Sequence, residues 1–266
     1  MNEFLDDYKG TVARSFGRAA QTYDAAAALQ QQIGHELLAE LRAVDLSGVS
    51  PLILDVGAGT GFFSRNLSAM FPSARVVAVD LAEGMMRRAK QHHFGGCIVG
   101  DAEAIPIASG KVDLVFSNMC IQWCRSHDQL FGELRRILKP TGRMVFSTFG
   151  PKTLSELRQA WAVSDELDHV IQFLTEAHLA EMLGRYGFCW DSRLVRVECR
   201  EYRDVFSLMR ELKDLGARNA SARRPKALTG KGRIAAMSEA YPQNGNGLIT
   251  ASYEILGGTL SVRTGG

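Results

Sequence analysis

Between residues 9 and 44 apolar positions recur at helical spacing: alanines run from Ala25 to Ala28, and Leu29, Ile33, Leu37, Leu38 and Leu41 follow. That period predicts a helical N-terminal segment. The period then changes. Leu52-Ile53-Leu54 is a short apolar run between Pro51 and a glycine turn, which is the pattern of a buried strand. A helix is expected over 61–70, a second strand over 75–79 and a helix over 83–91. Further strands are expected over 97–99, 112–116 and 143–148, with a helix over 130–138 closed by the turn Lys139-Pro140-Thr141-Gly142. Strand and helix alternating at this spacing predict a mostly parallel α/β sheet with helices on both faces. Past Pro151 the pattern loosens. Helices are expected over 153–166 and 175–186, a strand over 193–199, helices over 204–216 and near 231–240, and a last strand within 247–262. Asn244-Gly245-Asn246-Gly247 predicts a flexible loop before that strand. The chain reads as one domain: an N-terminal helical cap over 1–44, a ligand-binding core over 50–150, and a helical, basic insertion over 203–245. The cap and the insertion are expected to pack near each other as a lid over the sheet's carboxyl edge, where ligands bind in open α/β folds.

Composition narrows the function. With 266 residues, 46% hydrophobic and 23% charged, the chain is an ordinary globular one, and its net charge of +2 gives no general affinity for nucleic acid. No apolar run approaches the roughly 20 residues of a membrane span. The acidic start, Met1-Asn2-Glu3-Phe4-Leu5-Asp6-Asp7, does not read as a signal peptide. Cys97, Cys120, Cys124, Cys189 and Cys199 are scattered without a CxxC pair, so no metal site is expected and they read as reduced thiols in the core of a cytoplasmic protein. His92-His93 reads as surface, without metal-ligand spacing. One stretch is strongly charged: 210–233 holds eight basic residues against two acidic ones. It is either a solvated loop or a docking patch for an acidic partner. It lacks the interleaved aromatics of a single-strand nucleic-acid surface.

The chemistry concentrates at Asp55-Val56-Gly57-Ala58-Gly59-Thr60-Gly61, between the first strand and its helix. Glycines allow a sharp turn and close backbone approach to a ligand, and the N–H groups of the helix start face it. A dinucleotide turn would place a third glycine after two intervening residues, and Phe62 stands there. The spacing preceded by Asp55 instead resembles motif I of class I methyltransferases. Asp80 ends strand two, where an acid accepts both ribose hydroxyls or caps the next helix. The resemblance implies a Rossmann-like class I methyltransferase fold with a seven-stranded sheet and S-adenosyl-L-methionine as cofactor. It further implies that Asp101 binds the adenine amino group and that Ala102 lies beside the ring. Gln30, Leu81 and Met85 would border the cofactor, and Asn118 its methionine moiety, with Asp55, Gly57, Ala58, Gly59 and Gly61 forming the turn.

More specific segments resemble the malonyl-acyl carrier protein O-methyltransferase family of biotin synthesis. They are Phe16-Gly17-Arg18-Ala19-Ala20 with Tyr23-Asp24, Ser117 to Cys124, Leu212 to Asn219, Leu228-Thr229-Gly230-Lys231, and Ser252-Tyr253-Glu254. The resemblance implies methyl transfer to the free carboxylate of a malonyl thioester, with an acidic acyl carrier protein docking on 210–233. Such a carboxylate is already ionised at neutral pH, so no base is required. Desolvating it requires a cation or hydrogen-bond donors nearby. Tyr23, Gln122, Trp123 and Lys213 are the candidate catalytic residues. Lys213 is the cation candidate, with Tyr23, Arg18 and Tyr253 next, and Trp123 would offer a ring face to a sulfonium. Two alternatives stay open: a methyltransferase acting on another small acid or a quinone precursor, and a cofactor-binding assembly protein that has lost transfer.

Overall fold

The computed structural model of the chain describes residues 2–44, 46, 50–217 and 230–263. The N-terminal helical segment is three helices, α1 (Asn2–Ala19), α2 (Tyr23–Ala26) and α3 (Ala28–Glu40). Ala27, at φ −86° and ψ 32°, breaks the last two apart. The core continues as β1 (Leu52–Val56), α4 (Phe62–Met70), β2 (Arg75–Asp80), α5 (Glu83–Ala89), β3 (Gly96–Val99), β4 (Val112–Asn118), α6 (His127–Ile137) and β5 (Leu138–Phe149). Then come α7 (Ser155–Ala162), α8 (Glu176–Arg185), β6 (Phe188–Trp190), β7 (Leu194–Tyr202), α9 (Val205–Asp214), α10 (Lys231–Ala240) and β8 (Ile249–Val262). Side chains cap three of these helices: Ser126 on α6, Thr175 on α8 and Asp204 on α9 each accept from a backbone N–H of the first turn.

The strands form one sheet ordered β3-β2-β1-β4-β5-β8-β6, with β7 also paired to β8. β1 to β5 are parallel, and β8 runs antiparallel to β5, β6 and β7. The sheet thus has seven positions, as expected, but eight strands. The strand anticipated at 193–199 is preceded by β6, and both pieces lie along the same side of β8. The break between them is held by Asp191 and Ser192, whose N–H groups both donate to the Thr259 carbonyl. The expected turn Lys139-Pro140-Thr141-Gly142 folds out of the ladder at the start of β5: Leu138 pairs with Val112 and Arg143 with Leu114, and a Cβ on Gly142 would stand 3.0 Å from the Lys139 carbonyl oxygen. One other expectation is corrected. The Asn244–Gly247 loop is closed by hydrogen bonds, because the Asn244 side-chain oxygen accepts from the N–H groups of Asn246 (3.0 Å) and Leu248 (3.1 Å).

Alternation along the strands divides the core in two. Leu54, Val56, Val115, Met144 and Phe146 face α6 and α8, packing on Phe131, Leu134, Leu179 and Met182. Ile53, Leu114, Phe116 and Val145 face α3 and α4, against Leu37, Leu38, Phe63 and Leu67. Each such side chain, fully buried, contributes roughly 1.5–3 kcal/mol. A third cluster joins Leu29 and Ile33 of α3 to α7, α9, α10 and the first half of β8. Through it the N-terminal helices and the late insertion meet over the carboxyl ends of the strands, where the Thr22 hydroxyl donates to the Asp214 carbonyl at 2.8 Å. Among the described residues no helix is long and apolar enough to cross a membrane.

Candidate active site

β1 delivers Asp55 to its carboxyl end, and the chain then turns through three glycines at positive φ: Gly57 at 73°, Gly59 at 56° and Gly61 at 80°. The turn is tied to β2, whose Val79 carbonyl accepts from the N–H groups of Gly57 (2.8 Å) and Ala58 (3.1 Å). Asp80 receives the Gly59 N–H on Oδ2 at 2.9 Å and the Ala82 N–H on Oδ1 at 2.7 Å. The same carboxylate therefore shapes the glycine turn and the entry to α5. The three glycines have different neighbours. A Cβ on Gly57 would stand 2.4 Å from Cys120, and one on Gly61 2.9 Å from the Ala89 Cβ. One on Gly59 would touch only the Tyr23 ring, at 3.9 Å. Gly61, expected to bind the cofactor, instead lets α4 pack against α5 and does not line the cavity; the open side of the turn is at Gly59.

A trough runs across these carboxyl ends. One end is formed by Asp101, Ala102 and Glu103, the middle by Tyr23, Asp80, Leu81, Met85, Gly57 and Gly59. The other end is formed by Asp55, Ala58, Gln30 and Asn118. Every residue anticipated for the cofactor except Gly61 is brought here. Tyr23 and Gln30, on separate helices, reach it from above. Asn118 is fixed by donating to the Gln30 carbonyl (2.9 Å) and accepting from the Ser147 hydroxyl (2.7 Å). Thr60 donates to the Asp24 carboxylate at 2.6 Å and so ties α2 to the turn.

Other residues of the trough were not anticipated. Lys9, Val12 and Phe16 of α1 form part of its wall. Lys9 reaches Asp101 Oδ2 at 2.6 Å and Glu103 Oε2 at 2.8 Å, closing the Asp101 end. Phe16 belongs to a segment already singled out, whereas Lys9 carries no pattern that would have marked it. Cys120 and Cys124, read as core thiols, are half-buried and line the trough instead.

Burial raises the Asp55 carboxyl to about 7; the Ser64 hydroxyl, donating at 2.6 Å, opposes the shift and the Asp80 charge adds to it. Burial also raises Asp80 against the pull of its two N–H donors. Tyr23 is pushed up by burial and by the Asp80 and Asp24 carboxylates, so its phenol stays protonated and can donate. Neither Asp55 nor Asp80 has a cation partner among the described residues, and the buried Gln30 Oε1 has no hydrogen-bond partner. Two uncompensated carboxylates and an orphan acceptor beside an open glycine turn fit a ligand that brings hydroxyls and an ammonium group. S-adenosylmethionine has both.

A second, mostly apolar cavity adjoins the trough. Trp123 is common to the two, and Gln30 stands between this cavity and the Asp55 end. Its walls include Phe149, Leu154, Leu157, Val170, Phe173, Leu212, Leu215 and Ala217, with Thr153, His169, Glu211 and Tyr253 as polar members. Trp123 is held edge-on against Phe16, ring centroids 5.1 Å apart. Two expected catalytic residues are placed elsewhere. Gln122 is buried and satisfied internally, donating to the Met119 carbonyl (2.8 Å) and accepting from Thr148 (3.0 Å). Lys213 is exposed, because α9 turns Leu208, Glu211, Leu212 and Leu215 inward and position 213 falls on its outer side. Of the alternatives to Lys213, Tyr253 lines the second cavity, Tyr23 lines the trough, and Arg18 is exposed. No group of three or more metal-binding side chains occurs among the described residues.

A methyltransferase-domain family matches residues 54–146. The chain is 45% identical to the malonyl-acyl carrier protein O-methyltransferase of Methylococcus capsulatus, over 93% of this chain and 92% of that protein. It is 40% identical to the biotin biosynthesis bifunctional protein BioHC of Cellvibrio japonicus, over 93% of this chain and 49% of the longer protein. Among solved structures, the YcgJ protein from Bacillus subtilis superposes with a TM-score of 0.59 over 87% of this chain and 99% of that one, at 15% identity, a likeness of fold.

Proposed function

The chain belongs to the malonyl-acyl carrier protein O-methyltransferase family, and from that membership we propose that it methylates the free carboxylate of a malonyl thioester carried by an acyl carrier protein, an early step of biotin synthesis. It is an S-adenosylmethionine-dependent enzyme of the class I methyltransferase fold. The observation that carries the substrate reading is the pairing of cavities: a trough suited to the cofactor opens at Trp123 and Gln30 onto a largely apolar chamber.

When bound, the cofactor supplies a sulfonium methyl; the carboxylate oxygen gains the O–C bond as the S–C bond breaks, and no proton moves. The protein's part is therefore to orient and to exclude water. Asp80 would accept the ribose hydroxyls, and Asp55 with the Gln30 amide oxygen would receive the ammonium group. Tyr23 and Trp123 flank the junction, Tyr23 as a hydroxyl donor and Trp123 as an aromatic wall beside the positive sulfur. Holding the two reactants in line supplies roughly 7–11 kcal/mol of the barrier reduction. The helical cap and the late insertion act with the core as one catalytic unit. Lys213, Arg210, Lys231 and Arg233 are each exposed, and exposed bases of this stretch suit an acidic carrier protein. The remaining bases of that stretch, Arg218, Arg223, Arg224 and Lys226, lie outside the described residues.

The test is transfer of labelled methyl from S-adenosylmethionine to malonyl-carrier protein, with release of label by mild base as the sign of an ester. Malonyl-coenzyme A, other small acids and quinone precursors form the comparison panel. Preferred turnover of one of those over malonyl-carrier protein would overturn the assignment.

A further inference from the structure

We infer that His169, held by Asp165, is the group that meets the carboxylate of the methyl acceptor. The inference rests on the proposed function and specifies how its substrate is chosen. An anion entering an apolar chamber loses its hydration and needs a cation or strong donors there. The polar lining groups can be taken one at a time. The Thr153 hydroxyl is used in both directions by the backbone of Glu254, donating at 3.3 Å and accepting at 3.0 Å. Glu211 has the wrong sign and already accepts the Tyr202 hydroxyl at 2.8 Å. Since Tyr202 spends its proton on Glu211, the 3.2 Å contact between the two tyrosines takes the proton of Tyr253. Gln30 stands at the border with the trough, and its orphan oxygen faces a cationic need, not an anionic one.

Trp123 and the Gln30 amide offer only neutral N–H donors, at the border with the trough; among the described residues lining the chamber His169 alone can carry positive charge. It is held firmly. Its Nε2 lies 2.7 Å from Asp165 Oδ1, with the two side chains only 9% and 10% exposed. Its ring lies flat on Trp161, 3.8 Å away and within 3° of parallel. Asp165 is itself fixed by the Leu167 N–H at 3.0 Å and by Arg233 at 3.5 Å. Burial pushes the Asp165 carboxyl up, but the His169 hydrogen bond, the Leu167 N–H and the Arg233 charge outweigh it, and it stays an anion. With Nε2–H donated to Asp165, Nδ1 is the nitrogen left for a ligand. As an imidazolium the ring donates from both nitrogens, to Asp165 on one side and to a ligand carboxylate on the other.

The experiment compares binding of malonyl-carrier protein with binding of acetyl-carrier protein, which lacks the carboxylate, both in the presence of S-adenosylhomocysteine. The wild-type protein is expected to prefer the malonyl form by at least about tenfold, in keeping with a hydrogen bond to a charged group. His169→Ala and Asp165→Asn should erase that preference, and His169→Gln, which keeps a donor, should retain part of it. Affinity for acetyl-carrier protein and for S-adenosylhomocysteine should stay within about twofold, which a general loss of structure would not allow. A variant that keeps the full malonyl preference overturns the role of His169 while leaving the proposed function standing. So does one that loses malonyl, acetyl and cofactor binding in equal proportion, since that marks the stack on Trp161 as structural. A wild-type protein without malonyl preference overturns both the proposed function and this inference.

Discussion

Asp55 is 2% exposed, and its carboxyl titrates at about 7 against 3.8 for a free aspartate. Between those two pH values the folded chain keeps a proton that the unfolded chain has released. Stability contributed by the neutral carboxyl is therefore lost as pH rises through this window, and the loss is complete above about 7. A shift of that size corresponds to roughly 4 kcal/mol. Asp55→Asn removes the titration but keeps an acceptor for Ser64. The Tm of the ligand-free Asn variant should therefore fall less between pH 5 and pH 8 than that of the wild type. S-adenosylhomocysteine, which brings an ammonium group, should narrow the difference at pH 8. Parallel Tm curves for the two proteins would refute the assignment. Gly59 gives a second test at this scale. Val there would force a side chain at φ 56° into the trough, where overlap alone costs about 1–3 kcal/mol. Calorimetry on a folded Gly59→Val protein should show weakened S-adenosylhomocysteine binding, and unchanged affinity would place the ligand elsewhere. Asp55, Gly59 and Asp80 were legible in the sequence because a strand end and a turn fix where their side chains go. Lys213 was misplaced because charge shows no helical phase, and only the inward row Leu208, Leu212 and Leu215 reveals which side of α9 is wet. His169 was invisible because its segment, between α7 and α8, has no period to read.

α1 shows how an element can be recognised without its task being read. Its helical pattern was plain, yet the sequence did not show that Lys9, Val12 and Phe16 would form a wall of the cofactor trough. That depends on packing against α5, more than 60 residues away along the chain. The same holds for the sheet. β1, β2 and β4 are buried on both faces and read as apolar runs. β6 has three residues and no detectable period, and the junction of α6 with β5 is decided by pairing to β4 across a register shift. The Lys9 contacts with Asp101 and Glu103 tie α1 down over one end of the trough. The contact with Asp101 is partly open to solvent, with Lys9 27% and Asp101 28% exposed, whereas the Glu103 side chain is only 3% exposed. An exposed pair of this kind contributes up to about 1 kcal/mol, or about fivefold in a rate. Lys9→Ala also leaves the buried Glu103 carboxylate without its cation, so it should speed dissociation of S-adenosylhomocysteine by at least about fivefold, measured by stopped-flow displacement, and lower the melting temperature. An unaltered off-rate would mean that α1 is held by its apolar face alone.

On the scale of the whole molecule the charge is nearly balanced, at +2, yet the bases gather in one stretch, 210–233. Ala217, directly before the segment 218–229, lines the acceptor chamber. Charge on the rim of a carrier-protein contact acts mainly on encounter, which is screened by salt, and less on chemistry within the chamber. That separates the outer bases from the cavity residues. Replacing Arg223, Arg224 and Lys226 together by alanine should raise KM for malonyl-carrier protein severalfold at low ionic strength, leave kcat unchanged and flatten the dependence of kcat/KM on salt. Malonyl-coenzyme A, which lacks the carrier surface, should be turned over as by the wild type. His169 variants should show the opposite pattern, losing the malonyl form on either carrier without a change in salt dependence. Initial rates for both substrates across a salt series distinguish the cases. An equal rise in KM for the carrier-free thioester would move these three bases from a docking role to the chamber itself.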